Sequence, residues 1–257
     1  MELQLTGKRA LITGGSQGIG RGVAELLAQE GCHLHLAART QVDLERAKRE
    51  LEQAYSVEVA IHATDLSKFE NCRALAKAPG GIDILVNCAG AIRAGSIDMV
   101  DEQTWLEGWN LKLFGCINLT REIYPAMCRR GSGVIVNVIG NAGERPVANY
   151  ISGSIANAGL IALTKALGAE SLDHGVRVVG VSPGQIATER LERQQRIKAQ
   201  QALGDADRWR EMLKDLPQGR PGTVEECASV VVFLASPCAG WISGSVVTVD
   251  GGMHARA

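Results

Sequence analysis

Residues 9–20 read RALITGGSQGIG. A short apolar run meets a turn with glycines at 14, 15, 18 and 20, and an amphipathic run begins inside that turn. Its apolar residues Ile19, Val23, Leu26 and Leu27 fall on one face at helical spacing. Glycine lets the backbone turn tightly and lets another group approach closely. A helix that opens directly after a strand presents free N–H groups and the positive end of its dipole to that turn. A lone glycine motif is weak, but between a strand and a helix it is a specific sign of a pyrophosphate-binding α/β unit.

The rest of the chain repeats the rhythm. Strands are expected at 9–13, 33–38, 57–62, 83–87, 133–139, 176–181 and 245–249, and helices near 19–30, 41–54, 68–78, 101–129, 157–173 and 223–235. Apolar strands alternating with helices mean a parallel sheet covered on both faces. Length suits one domain spanning 1–257. Only 186–218 breaks the pattern, being polar, highly charged and helical in periodicity. It reads either as a solvated surface helix pair or as a lid, since ligands of open α/β sheets bind beyond the strand C-termini.

A net charge of −1 gives no pull toward nucleic acid or an anionic membrane, and no apolar run is long enough to span a bilayer. The seven cysteines form no C-x-x-C pair and no cluster with histidine, so reduced thiols and no metal are expected. The start, MELQLTGKRALITGG, lacks a charged segment followed by an apolar stretch, so a cytoplasmic location is expected.

The end of the second strand bears on the cofactor. An acid there would hold the ribose 2′-hydroxyl of NAD; this chain has Ala38 and then Arg39. Arginine suits a 2′-phosphate, so NADP(H) is expected, the alternative being a surface Arg39 and NAD.

Further motifs follow in order: DL (65–66), NCAG (87–90), WN (109–110), SPG (182–184) with Thr188, GRPGTVEECA (219–228), FLASP (233–237) and VDGG (249–252). With the glycine turn they make the chain resemble the short-chain dehydrogenase/reductase family over nearly its whole length. The resemblance implies a single-domain Rossmann fold, a doubly wound seven-stranded parallel sheet with helices on both faces, a nicotinamide cofactor and a homotetramer or homodimer. It assigns Gly14, Ser16, Gly18, Ile19 and Gly20 to the phosphates, and Asp65 and Leu66 to the adenine. Asn87, Ala89 and Gly90 would line the middle of the cofactor path. Pro183, Gly184, Ile186 and Thr188 would bracket the nicotinamide end, and Asn110 would help hold a relay water.

The family's catalytic serine, tyrosine and lysine are where the resemblance fails. Aligned from either side without a gap, their positions hold Gly140, Gly153 and Asn157. Tyr150 stands seven residues before Asn157, the spacing of tyrosine and lysine in the related enoyl-acyl-carrier-protein reductases. Residues at i+4 and i+7 share a helix face, so Tyr150 is expected to look into the same cleft as donor or oxyanion partner, or else to be a pocket wall. Asn157 can still hydrogen-bond a nicotinamide ribose but carries no charge. A phenol with no cation beside it ionises near pH 10, which makes it a poor base yet a usable proton donor; reduction is therefore expected over oxidation.

For a surrogate charge or an anionic substrate group, Arg145 of GERP (143–146) is the first choice, with Gly140 beside it; Lys112 and Arg93 are also near in the fold plan, and Ser152 and Ser154 offer hydroxyls. No histidine falls near this stretch of sequence. Three functions stay open: an NADP(H)-dependent reductase of a small carbonyl or activated C=C compound such as an acyl thioester, a nucleotide-binding sensor or subunit without chemistry, and an ordinary alcohol dehydrogenase with an unrecognised relay.

Overall fold

Seven strands form one all-parallel sheet in the order β3-β2-β1-β4-β5-β6-β7. They are β1 (Arg9–Thr13), β2 (His33–Ala38), β3 (Val59–Ala63), β4 (Ile84–Asn87), β5 (Gly133–Val138), β6 (Val176–Pro183) and β7 (Val246–Val249). The computed structural model describes residues 2–78 and 80–256. Alternation within each strand builds two cores, because successive side chains point to opposite faces. Leu11, Leu85, Ile135 and Val178 face one way, onto α3 (Phe69–Lys77) and α5 (Gly115–Arg130). Ile12, Val86, Val136 and Val179 face the other, onto α1 (Gly18–Gln29), α2 (Gln41–Ala54) and α8 (Val224–Ala235). Each such side chain, fully buried, contributes about 1.5–3 kcal/mol against exposure.

The chain leaves β1 toward β2 and β3, then crosses back to place β4 on the other side of β1. That reversal opens a crevice beyond the C-terminal ends of β1 and β4, where ligands of doubly wound sheets bind. Thr223 and Glu226 start α8 with a reciprocal capping box, Glu226 N to Thr223 Oγ1 at 3.0 Å and Thr223 N to Glu226 Oε2 at 2.7 Å.

Three elements depart from expectation. The third strand is shifted to 59–63. The helix expected over 101–129 is broken into α4 (Glu102–Trp109), a π turn (Asn110–Phe114) and α5. The helix expected from 157 begins at Ile151, as α6 (Ile151–Glu170). Its first turns, ISGSIA, carry a polar and glycine content that reads as loop. They are nonetheless enclosed, with Ser152, Gly153, Ser154 and Ala156 buried, and Trp109 Nε1 donates to Ser152 O at 3.0 Å. Small residues let the helix start sit directly under Trp109, and that packing overrides local propensity.

The charged segment 186–218 holds α7 (Glu189–Leu203) and a 3₁₀ stretch (Ala206–Leu213) packed together. Arg196 joins them, bonding Glu192 at 2.9 Å and Asp207 at 2.6 Å. Among the described residues no helix is long and apolar enough to cross a membrane.

Two glycines of α6 separate packing from propensity. A Cβ on Gly168 would overlap the backbone of Gly244 and sit 2.7 Å from Val178 O, whereas one on Gly159 meets only Leu113, at 3.3 Å. Urea denaturation of Gly168→Ala should show a loss of about 1–3 kcal/mol from overpacking. Gly159→Ala should be neutral or gain up to about 1 kcal/mol of helix propensity.

Candidate active site

The glycine turn is shaped by what surrounds it. Gly14 and Gly18 have φ of 68° and 57°, left-handed values that suit glycine. A Cβ on Gly14 would lie 3.2 Å from Ala89 N, and one on Gly20 would overlap Gly14 O. The N-cap of α1, Gln17, makes no side-chain cap, so the first N–H groups of that helix lack a side-chain acceptor. Ser16 is buried and Ile19 half-buried within the turn. Thr13 fastens the turn to the neighbouring strand: its hydroxyl accepts from Cys88 N at 2.9 Å and Ala89 N at 3.0 Å. Thr188 closes over the other side, its methyl 3.5 Å from where a Gly18 side chain would begin.

Arg39 is exposed at the end of β2. Burial alone would raise the Asp65 carboxyl, but hydrogen bonds from Ser67 and the charges of Arg39 and Lys68 hold it below the usual range. Leu66 is buried beside it. Asn87 is largely internal. Its Nδ2 donates to Thr120 Oγ1 at 3.1 Å and Asn137 Oδ1 at 2.9 Å, and Asn137 Nδ2 continues to Thr164 Oγ1 at 2.9 Å. Thr13, Leu66, Asn87, Ala89 and Cys116 line a cavity of about 10 Å³, near the size one water needs.

At the far end of the crevice, Pro183 ends β6, Gly184 N bonds Val249 O at 2.9 Å, and Ile186 is buried. Thr188 Oγ1 accepts from Leu191 N at 3.3 Å and so caps α7. Asn110 opens the π turn, a widened turn whose carbonyl is taken by Gly115 N.

The three replaced positions come together. Gly140 has φ of 135°, and a Cβ there would lie 2.8 Å from Asn157 Nδ2. Asn157 is 1% exposed, and among the described residues its Oδ1 has no partner. Tyr150 is the N-cap of α6, with φ −144° and ψ 38°, so its backbone stands just outside the helix. Its half-buried ring lies over Gly153, in the volume that a Gly153 side chain would enter.

Arg145 Nη1 donates to Met253 O at 2.7 Å, which anchors the C-terminal turn. Lys112 is the cation at the replaced positions. Its Nζ donates to Ile139 O at 2.6 Å, one residue before Gly140, and burial first, then the charge of Arg190, brings it down to about 8. Ser154 is consumed locally, accepting from Val147 N at 3.0 Å and donating to Tyr150 O at 3.1 Å, while Ser152 Oγ is buried without a partner among the described residues. Lys165 is exposed farther along α6.

Sequence distance concealed one histidine. His254 Nδ1 shares a hydrogen bond of 3.0 Å with Asp250, and Asp250 accepts from Asn141 Nδ2 at 3.3 Å, next to Gly140. Burial would raise Asp250, but those bonds from His254 and Asn141 hold it low. The i,i+4 spacing within DGGMH was the available signal.

A double-mutant cycle tests the seat of the ring. Gly153→Ala should destabilise by about 1–3 kcal/mol, because the ring must leave. In a Tyr150→Ala background the same change should cost little, giving a coupling of about 1 kcal/mol or more in denaturant titrations.

Comparison with known proteins agrees with this fold. The family model for the short chain dehydrogenase matches residues 8–199. Galactitol 2-dehydrogenase (L-tagatose-forming) of Cereibacter sphaeroides is 34% identical over 253 residues, covering 97% of this chain and 96% of its own. A 3-oxoacyl-[acyl-carrier-protein] reductase of Vibrio cholerae is 34% identical over 256 residues, covering 98% and 99%. The crystal structure of L-sorbose reductase from Gluconobacter frateurii, complexed with NADPH and L-sorbose, superimposes with a TM-score of 0.93 at 31% identity over the full length of both chains. The chain thus belongs to the short-chain dehydrogenase family, whose matched relatives are oxidoreductases.

Proposed function

We propose that this chain is an NADP(H)-dependent reductase of a carbonyl or activated C=C compound, with Tyr150 as proton donor or oxyanion partner. One observation carries the reading: the Tyr150 ring occupies the space over Gly153, the position at which the family keeps its tyrosine. The phenol is moved in sequence by three residues and regains the volume by packing onto a glycine.

The residues present fit a dinucleotide. Gly14, Gly18 and Gly20 form a cradle in which a Cβ would crowd Ala89 from 14 and overlap Gly14 O from 20, and in which Gly18 is left-handed, at a helix start free of side-chain caps. At the other end, Asn157 Oδ1 and Ser182 Oγ are buried without partners among the described residues. Gly14, Ser16, Gly18, Ile19 and Gly20 would hold the phosphates, and Asp65 and Leu66 the adenine. Ala89, Gly90, Pro183, Gly184, Ile186 and Thr188 would flank the path to the nicotinamide, with Asn87 supporting it from the polar ladder. Arg39, exposed and electrostatically coupled to Asp65, would take the 2′-phosphate. The sorbose reductase complex with NADPH supports that choice.

When bound, the reduced nicotinamide supplies the hydride. The chain's own task is then to place the acceptor and to give a proton or a hydrogen bond to its oxygen. A neutral phenol can do this, and loss of the lysine at 157 weakens mainly the reverse task of a base. Asn157 would hold the ribose through its amide, Asn110 would steady a water in the widened turn, and 186–218 would cover the pocket. An exposed Trp241, 90% accessible near the edge strand β7, fits a face for another copy in a homo-oligomer.

The joint replacement at 140, 153 and 157 favours one rival, a nucleotide-binding protein without turnover. Following NADPH consumption with ketones, enones and enoyl thioesters separates the two. Turnover on one class is expected. Tyr150→Phe should then lower kcat by about 100-fold while NADPH affinity stays within about twofold. Unchanged activity in Tyr150→Phe would remove the phenol from the chemistry, and tight binding without consumption would select the rival.

A further inference from the structure

Two cations and no acid meet at Gly90. Lys112 reaches there from the π turn, its methylenes 3.0 Å from the point where a Gly90 side chain would begin. Arg190, on the first turn of α7, donates to Gly90 O at 3.1 Å and to Ile92 O at 3.3 Å. Among the described residues neither cation has a carboxylate within ion-pair distance. By contrast Arg196, Arg208 and Arg220, in and just beyond the same charged segment, are all paired, Arg196 with two carboxylates and the other two with one each. The other titratable groups facing Lys112 are the Cys88 and Cys116 thiols, both pushed up to about 12 by burial and so neutral. Among the described residues, carbonyl oxygens are the acceptors these two charges use.

Arg190 is exposed and Lys112 is half-buried, and the charge of Arg190 disfavours that of Lys112, so a ligand oxyanion between them removes that cost. An ammonium beside a guanidinium fork is also a strong donor set for a carboxylate. The dinucleotide phosphates have their own seat at the start of α1. Lys112 instead joins Ile139–Gly140, the segment that faces Asn157. We propose that Lys112 and Arg190 form the seat for a carboxylate on the substrate, so that the compound reduced is a carbonyl or enone acid rather than a neutral ketone. This identification of substrate class rests on the reductase reading, but its test does not require turnover.

The test is calorimetric titration of the NADP⁺-saturated protein, where no hydride is available, with 3-oxobutanoate and with its neutral methyl ester. At pH 7 the carboxylate should bind about tenfold more tightly than the ester. Lys112 is charged below about 8 and loses that charge above it, so the preference should shrink several-fold between pH 7 and 9. Lys112→Met and Arg190→Leu should each reduce it to about threefold or less. Lys112→Arg, which keeps the charge and resembles the native side chain, should retain the preference and lose its pH dependence; it decides the matter if the methionine variant does not fold.

Equal affinity for acid and ester would overturn the proposal. So would a preference that both single variants leave intact. A fall in NADPH affinity with the acid–ester preference unchanged would assign the two cations to the cofactor instead. Carboxylate preference without turnover on any ketone or enone would uphold the seat and sink the reductase reading.

Discussion

The pairing of β1 with β4 is the constraint on which the site depends. The chain must cross the sheet there, and whatever lies beyond the two strand ends is open to a ligand. Thr13 sets that opening with one hydroxyl shared by the amides of Cys88 and Ala89. The glycine turn that follows β1 is thereby held against the segment that follows β4, with Ala89 filling the space a Gly14 side chain would need. The two apolar cores on either face keep this arrangement rigid, and the crevice inherits its shape from them.

Around that frame the reacting end has been rearranged by exchanges of volume. Gly153 gives up a side chain and the Tyr150 ring takes the space. Gly140 gives up a side chain and the Asn157 amide faces the vacated volume. A cation is absent at 157, while another stands at 112, bound to the carbonyl just before Gly140. Each replacement is local, so the surrounding sheet and helices need not change.

The legible parts of the sequence were those set by period and by backbone demand. All seven strands, to within two residues at either end, the glycine turn and α8 could be placed because apolar runs, glycine and helical periodicity act locally. The beginning of α6 could not, because ISGSIA is helical only through enclosure under Trp109. The same misplacement hid the position of Tyr150, whose spacing to Asn157 suggested a shared helix face but whose backbone lies outside the helix. The contacts of Arg145 and His254 were hidden for a different reason: the C-terminal turn folds back beside residues 141–145, a contact across more than 100 residues with no periodic signature.

The direct measurement is kcat/KM for the exchange Tyr150→Gly/Gly153→Tyr, set against Tyr150→Gly alone and the native chain on the same substrate. If the phenol acts from the volume over Gly153, returning it from position 153 should restore at least about tenfold of the activity that the single change removes. A double variant no more active than Tyr150→Gly, folded and binding NADPH normally, would contradict a role for the ring in that volume.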